Sequence, residues 1–243
     1  MARIAIFAAL QWECRPVLHH LRQVRRDRRA DVTVWQGAGA VGDVWLVKTG
    51  MGVARAATAS ALLHEGPRFD LVVSSGCAGA LSVEMVPGDL VIASALLSPG
   101  GARYATDVSQ RDQLRRAAGH AGLRCTEGPV FCSPAVLATV AEKRATAARG
   151  CVAVEMEGVP IAAGAAQARV PFTSVRAILD TAATELPYIG KVVDPHNGTV
   201  KPLALATYLA THPGTLPVLL SMQHMRRAAE TSLEKFFATW LAA

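Results

Sequence analysis

The sequence predicts a single α/β domain over residues 1–243, a three-layer α/β/α fold with a central mixed β-sheet between two layers of helices. Short apolar runs alternate along the chain with alanine-rich helical segments, which is the pattern of strand–helix–strand units. Hydrophobic residues make up 51% of the chain and aromatic residues only 5%, so Ala, Val, Leu and Ile must build the core. Such a core suits a largely parallel sheet covered on both faces. No repeat, linker or low-complexity block divides the chain.

Apolar runs and turn signals predict the individual elements. Predicted strands cover residues 3–9, 32–36, 44–48, 71–75, 89–95, 123–131, 152–155 and 171–179. The second and third of these strands form a hairpin around a glycine-rich turn. Predicted helices cover residues 13–21, 50–64, 110–121, 134–148, 157–168 and 222–241, whereas residues 97–109 are typical of a loop.

The chain is basic, with a net charge of +6 and a pI of about 9.4. Much of this charge lies in one early cluster, formed by Arg22, Arg25, Arg26, Arg28 and Arg29. The cluster fits a solvated helix end and loop, or a patch that contacts an anion or a membrane surface, and both interpretations stay open. Nucleic acid is not an expected partner, because no aromatic residues interleave with the arginines.

Cysteine usage and terminal segments indicate where the protein works. The five cysteines are odd in number and form no CxxC pair or Cys/His cluster, namely Cys14, Cys77, Cys125, Cys132 and Cys151. We therefore expect reduced, mostly buried thiols in the cytoplasm, and neither a disulfide framework nor a metal site. The apolar start of the chain is short and runs into Gln11 and Glu13, so it reads as a buried strand rather than a signal peptide.

Residues 202–225 contain no charged side chain and are long enough to span a membrane. Pro213, Gly214 and Pro217 interrupt this segment. We therefore predict two helices joined by a Pro-Gly turn, and no membrane span.

Polar features follow several of the predicted strands, where an α/β sheet places its ligands. They are Glu13, the loop 76–79, the run Glu155-Met156-Glu157, and Asp180. Each has an ordinary structural explanation when taken alone. Acids are favoured in the first turn of a helix, and Asp and Gly are common in turns.

Taken together, these segments resemble a known family. The matching strings occur in the family's order over residues 4–180: IAIFAALQWE, KTGMGVARAA, SSGCAGAL, PGDLVIAS, AVEMEGVPIAA and VPFTSVRAILD. They resemble the nucleoside phosphorylase/nucleosidase superfamily, especially the branch that cleaves methylthioadenosine and adenosylhomocysteine. The strings GPVFCSPA, DTAATELP and HPGTLPVLL are more similar to the hopanoid-associated branch, whose suggested substrate is adenosylhopane.

The resemblance implies roles for individual residues. Glu13 matches an acid that activates water, Glu157 an acid that grips the ribose hydroxyls, and Asp180 an acid that protonates purine N7. The resemblance also implies a substrate-contacting or site-ordering set formed by Cys77, Ala78, Gly79, Phe131, Cys132, Glu155, Met156 and Arg176. It implies a small-molecule purine nucleoside as partner, no cofactor, and a homodimer or larger homo-oligomer.

The chemistry of glycosidic cleavage gives these acids a reason. The sugar passes through an oxocarbenium-like state, and the purine leaves most easily when it is protonated. An apolar site keeps a carboxyl group protonated, and the apolar strand before Asp180 predicts such a site. A carboxylate at Glu157 would bind the sugar more tightly as positive charge develops.

The choice between water and phosphate as nucleophile rests on fewer residues. Phosphorolytic relatives have an arginine where this chain has Glu13, and this chain has Ser74 and Cys77 in the matching phosphate loop. A carboxylate repels phosphate, so we expect hydrolysis, although Arg55 keeps phosphorolysis open.

The identity of the base rests on fewer matching residues than the type of bond. Cys77 and Leu179 each stand where the family pattern has a serine, so adenine and other purines both stay open as the base. A purine-binding module without activity is a further alternative, and a Rossmann oxidoreductase is disfavoured because GxGxxG is missing.

Overall fold

The computed structural model describes residues 2–29, 32–187 and 216–242. The strands in this part of the chain are β1 (Arg3–Ala8), β2 (Arg22–Arg29), β3 (Val32–Gly39), β4 (Gly42–Lys48), β5 (Leu71–Ala80), β6 (Leu90–Leu97), β7 (Arg103–Ala105), β8 (Cys125–Cys132), β9 (Ala153–Glu155) and β10 (Phe172–Asp180). The helices are α1 (Gln11–Leu18), α2 (Val53–Ser60), α3 (Leu62–Glu65), α4 (Val108–His120), α5 (Val140–Ala147), α6 (Gly158–Ala168) and α7 (Leu216–Trp240).

All the described strands belong to one mixed sheet, as predicted. β5 lies at its centre and pairs in parallel with β1 and β10, and antiparallel with β9. From β1 the sheet continues outward through β4, β3 and β2. On the other side, β5, β10, β6, β8 and β9 pair in a closed ring, because β10 hydrogen-bonds to both β5 and β6. The sequence patterns did not predict this closure.

Alternation along the strands divides the core into two halves. In β1, Ile4 and Ile6 pack in a cluster with buried residues of α1, α4 and α7. Ala5 and Phe7 point to the opposite side, into a cluster with α2, α3 and α6. Successive side chains of a strand face opposite surfaces, so a sheet that is apolar on both faces needs helices on both. The three-layer prediction is confirmed.

The early arginine cluster is not a helix end or loop, which corrects that interpretation. It forms the edge strand β2, which pairs antiparallel with β3. The side chains of Arg25 and Arg28 are exposed, and the Arg26 guanidinium lies 5.7 Å from the ring centre of Trp35. Charged side chains on an edge strand disfavour pairing with another chain, which explains why so polar a segment can be a strand.

Several predicted boundaries also differ. β5 continues through residues 76–79, which we had expected to form a loop, and Asp180 is the last residue of β10 rather than a turn residue. A short strand, β7, pairs with β6 inside the predicted loop 97–109. The predicted helix 134–148 is shorter and begins at Val140, after a capping box formed by Thr139 and Glu142.

The C-terminal helix α7 runs for 25 residues and includes Pro217 in its first turn, where proline is tolerated. The predicted Pro-Gly turn, like most of the uncharged segment 202–225, lies outside the described residues. Among the helices that are described, none has the length and hydropathy needed to cross a membrane.

The turn between β3 and β4 depends on Gly42. Its φ is +133°, and a Cβ atom there would lie 2.1 Å from the Ala2 carbonyl oxygen. We predict that Gly42→Ala lowers the free energy of unfolding by more than about 2 kcal/mol, measured by urea denaturation. Gly119→Ala is the control, because α4 offers open space there, and we expect it to raise stability by about 0.5–1 kcal/mol. Equal stability of Gly42→Ala and the wild type would contradict the prediction.

Candidate active site

The predicted polar features meet at the carboxyl edge of β1, β5 and β10. Helix α1 begins just after β1 and carries Glu13 in its first turn. In the parallel register of β5 and β10, Arg176 lies beside Gly76 and Asp180 beside Gly79. The common direction of these strands therefore brings residues that are far apart in sequence to one place.

Glu13 is buried and anchored by backbone donors. Its Oε2 accepts hydrogen bonds from the N–H groups of Ala9 (3.1 Å) and Leu10 (2.8 Å), and its Oε1 accepts one from Cys77 (2.8 Å). Burial raises the pKa of Glu13 above its ordinary value, although these donors and the charge of Arg176 oppose the shift. A carboxylate with a raised pKa is a stronger base, so Glu13 is suited to take a proton from water.

Arg176 binds Glu155 and two serines of β5. Its Nη2 donates to Ser74 Oγ and to Glu155 Oε2, both at 2.6 Å, and its Nη1 donates to the Ser75 carbonyl oxygen at 3.1 Å. The side chains of Arg176 and Glu155 are 1% and 0% exposed. Desolvation of both charges opposes a buried ion pair of this kind, and among the described residues Arg176 Nε and Glu155 Oε1 have no hydrogen-bond partner.

Gly76 allows Glu13 and Arg176 to approach each other. Its φ is +144°, and a Cβ atom there would lie 2.7 Å from Glu13 Oε1 and 2.9 Å from Arg176 Nη1. Any side chain at this position would force the carboxylate and the guanidinium apart. The glycine thus has a steric role that turn formation alone does not explain.

Glu155 and Glu157 organise the start of α6. Glu155 Oε2, besides accepting from Arg176, accepts from the N–H groups of Glu157 (2.9 Å) and Gly158 (2.7 Å). Glu157 Oε1 accepts from the N–H of Gly52 at 2.8 Å, which ties α6 to the start of α2. Burial, helped by the nearby charge of Glu155, raises the pKa of Glu157 to about 7. Glu157 therefore changes its charge near neutral pH.

Asp180 does not lie in the purely apolar setting that the preceding strand predicts, and this expectation needs correction. Its Oδ2 accepts a hydrogen bond from the ammonium group of Lys143, and the two side chains are 7% and 1% exposed. Lys143 lies on α5, so the sequence before Asp180 contains no sign of it. Asp180 therefore lies in a charged contact with α5 and not in an apolar pocket.

The remaining predicted contact residues lie on β5 and β8 or next to Glu157 in the chain. Ala78 is buried, Met156 is half-buried beside Glu157, and Cys132 pairs with Glu155 in the β8–β9 register. Phe131 packs with Leu81, Cys151 and Val154, and the Arg149 guanidinium lies 5.1 Å from its ring centre. These contacts account for the burial of Phe131 by packing, so its stacking on a base stays a prediction.

The thiols near the site are neutral groups. Burial, followed by the charge of Glu13, raises the pKa of Cys77 well above its usual value. Burial and the Glu155 carboxylate likewise raise the pKa of Cys132. Neither sulfur is therefore an activated nucleophile. The described parts of the chain contain no group of three or more His, Cys, Asp or Glu residues arranged to hold a metal ion.

Sequence reasoning missed Lys143 and the backbone N–H of Gly52. No side-chain pattern can reveal a backbone donor, so Gly52 left no signal. Lys143 did leave one, because α5 buries Lys143 and Thr146, three residues apart on one helix face. A lysine on the inward stripe of a short helix requires a partner.

These observations define a class. A mixed α/β sheet whose carboxyl edge buries three acids around one arginine is built for acid–base chemistry on a small polar substrate. The chain belongs to the phosphorylase superfamily, whose family model matches residues 3–194.

Relatives and solved structures agree with this assignment. A 5′-methylthioadenosine/S-adenosylhomocysteine nucleosidase of Colwellia psychrerythraea is 26% identical over 212 residues, covering 76% of this chain and 86% of that protein. The fold is similar to that of the Neisseria meningitidis nucleosidase in complex with methylthio-immucillin-A, with a TM-score of 0.77, 21% identity, and coverage of 100% and 99% of the two chains. It is also similar to a futalosine hydrolase mutant of Helicobacter pylori, with a TM-score of 0.67, 19% identity, and coverage of 73% and 89%.

The raised pKa of Glu157 predicts a pH-dependent stability. Between the ordinary value of 4.5 and about 7, the folded protein holds a proton that the unfolded chain has lost, so the free energy of unfolding falls as pH rises through this range. We predict that Glu157→Gln removes this contribution, which is on the order of 3 kcal/mol at full ionisation. Urea denaturation at pH 5, 6, 7 and 8 measures how the free energy of unfolding changes with pH. Glu65→Gln, at an exposed acid, is the control. An unchanged pH slope in Glu157→Gln would contradict the assigned shift.

Proposed function

We propose that the protein hydrolyses the N-glycosidic bond of a 5′-substituted purine nucleoside, with adenine as the base. The arrangement of Glu13 carries this proposal, because a buried carboxylate held by three backbone N–H groups is a preorganised base. The relatives named nucleosidases for 5′-methylthioadenosine and S-adenosylhomocysteine support adenine as the base. The resemblance of residues 4–180 to nucleoside phosphorylases and nucleosidases supports cleavage between a nucleobase and a sugar.

Each acid has one task in the proposed reaction. Asp180 donates a proton to purine N7 as the electron pair of the N9–C1′ bond moves into the base. Glu157 accepts hydrogen bonds from the ribose hydroxyls, and these bonds strengthen as positive charge develops on the sugar. Glu13 takes a proton from the water that attacks C1′, which leaves a free sugar with a hydroxyl group at C1′. General acid or base help of this kind contributes roughly 10²–10⁴-fold per group.

Water is the proposed nucleophile because this site is unfavourable for phosphate. The hydrogen bonds made by the terminal nitrogens of Arg176 go to Ser74, Ser75 and Glu155. The same cluster contains the carboxyl groups of Glu13, Glu155 and Glu157, which would repel a bound anion. Phosphorolysis is the alternative, with Arg55 as the first residue to test as a phosphate ligand.

The 5′ substituent separates two substrate candidates. A methylthio or homocysteinyl group agrees with the names of the relatives. A long apolar group, as in adenosylhopane, would agree with the resemblance to the hopanoid-associated branch. The exposed arginines of β2, such as Arg25 and Arg28, favour the second candidate, since a basic surface strand could contact an anionic membrane that holds a greasy substrate.

We also propose a cytoplasmic homodimer or larger homo-oligomer. The cysteines of this chain are free thiols, which suits a reducing compartment. Light scattering during size-exclusion chromatography measures the number of subunits in the assembly.

Flotation with anionic and neutral vesicles tests the proposed membrane contact of β2. Vesicle binding that is equal for both lipid types, or unchanged in Arg25→Gln/Arg28→Gln, would exclude the basic strand as the contact surface.

The products identify the nucleophile. We predict that the wild type releases free sugar at the same rate with and without millimolar phosphate. Chromatography of the free base and the sugar product measures this rate. Glu13→Gln should lower kcat by roughly 10²–10⁴-fold without creating a phosphate requirement, because the amide cannot accept the proton of water. Glu84→Gln, at an exposed acid, is the control and should match the wild type. Release of sugar 1-phosphate would replace the hydrolase proposal with a phosphorylase.

A panel of four nucleosides tests substrate choice: adenosine, 5′-methylthioadenosine, S-adenosylhomocysteine and an adenosine with a long 5′-alkyl chain. We expect kcat/KM to be at least about tenfold higher for the 5′-substituted nucleosides than for adenosine, because each buried methylene contributes about 0.8 kcal/mol. The preferred member of the panel selects between the two candidates. A preference for plain adenosine would show that the 5′ position is not recognised.

A further inference from the structure

Lys143 is a buried lysine that the proposed reaction does not use. Its side chain is 1% exposed, although it lies on a short helix whose neighbouring residues Glu142 and Arg144 are exposed. An ammonium group removed from water loses several kcal/mol of hydration, which only close partners can restore. The position of Lys143 therefore calls for a reason beyond the packing of α5.

The partners of Lys143 match its donors one for one. Its Nζ donates to Asp180 Oδ2, to the Thr181 carbonyl oxygen (2.8 Å) and to the Thr184 carbonyl oxygen (2.8 Å). An ammonium group has three N–H donors, so its capacity is used in full. One side chain thus binds the end of β10 and both ends of the segment that follows it.

These contacts leave the two oxygens of Asp180 in different situations. Oδ2 is engaged by Lys143, whereas Oδ1 makes no hydrogen bond to any described residue. Asp180 pairs with Gly79 across β5 and β10, and a glycine adds no side chain that would shield the carboxyl group. The oxygen available to a base is therefore Oδ1.

We propose that Lys143 is the positioning residue of the base-protonating acid, and this inference rests on the proposed function. Lys143 holds Asp180 so that Oδ1 faces purine N7. When the proton moves from Oδ1 to N7 and the N9–C1′ electron pair enters the purine, Asp180 becomes a carboxylate. The ammonium group, already in contact with Oδ2, stabilises that new negative charge. Asp180 regains its proton from solvent after the base leaves.

The proposal predicts a loss that depends on the leaving group. Lys143→Met keeps the unbranched side chain as far as the ε position and removes the ammonium group. We expect kcat for 5′-methylthioadenosine to fall by roughly 10²-fold, within the range of a general acid, with KM changed less than threefold. Cleavage of 4-nitrophenyl riboside should change less than threefold, because nitrophenolate leaves without a proton. Lys143→Arg should recover part of the loss, and Arg144→Met, an exposed cation on the same helix, should match the wild type.

Equal losses on the two substrates would mean that Lys143 only supports the fold, and an unchanged rate on the nucleoside would also overturn the proposal.

A second measurement of the contact between Lys143 and Asp180 does not depend on turnover. In ¹⁵N-lysine NMR of the full chain, we expect a slowly exchanging ammonium signal that is missing in Lys143→Arg and shifted in Asp180→Asn.

The two measurements separate this inference from the proposed function. Absence of the NMR signal would overturn the Lys143–Asp180 contact even in an active nucleosidase. A wild type that shows the signal but cleaves no purine nucleoside would overturn the proposed function while supporting the contact.

Discussion

The buried pair of Arg176 and Glu155 is the interaction on which the rest of the site depends. The guanidinium connects β10 to β5 through Ser74 and Ser75, and Glu155 connects it to the start of α6. Two carboxyl groups, Glu13 and Glu157, lie close enough to be affected by its positive charge. Without that charge, the three buried carboxyl groups of Glu13, Glu155 and Glu157 would repel one another. The arginine therefore makes a concentration of carboxyl groups physically tolerable.

The acids are not equivalent, and their surroundings explain the difference. The oxygens of Glu13 accept hydrogen bonds only from backbone N–H groups, and Glu157 accepts one bond of the same kind. Asp180 instead accepts a hydrogen bond from a lysine ammonium group. A backbone donor has a fixed position, whereas a lysine brings a full charge on a long side chain. Three residues of similar chemistry thus lie in different surroundings, and in other enzymes such differences of environment, rather than residue type, separate acid from base.

The sequence predicted the layers and the sheet edge that carries the candidate site, because both depend on local patterns. Alternating apolar residues predicted the two-sided sheet, and acids after strands predicted the edge that carries Glu13 and Asp180. Closure of five strands into a ring was not predictable, since it depends on β10 pairing at both of its edges. The strand β2 was missed because its arginines contradict strand propensity, and only its edge position makes them acceptable. The contact between Lys143 and Asp180 joins residues 37 positions apart, which no local pattern reports.

The ring of strands has a consequence for how the protein comes apart. Its shortest member, β9, has only three residues, yet it bridges β5 and β8, and its last residue is Glu155. Releasing this small strand would open the ring and remove the partner of Arg176 in the same event. Opening of β9 is therefore coupled to the charge network, and we expect β9 and the network to protect their amide protons as one cooperative unit.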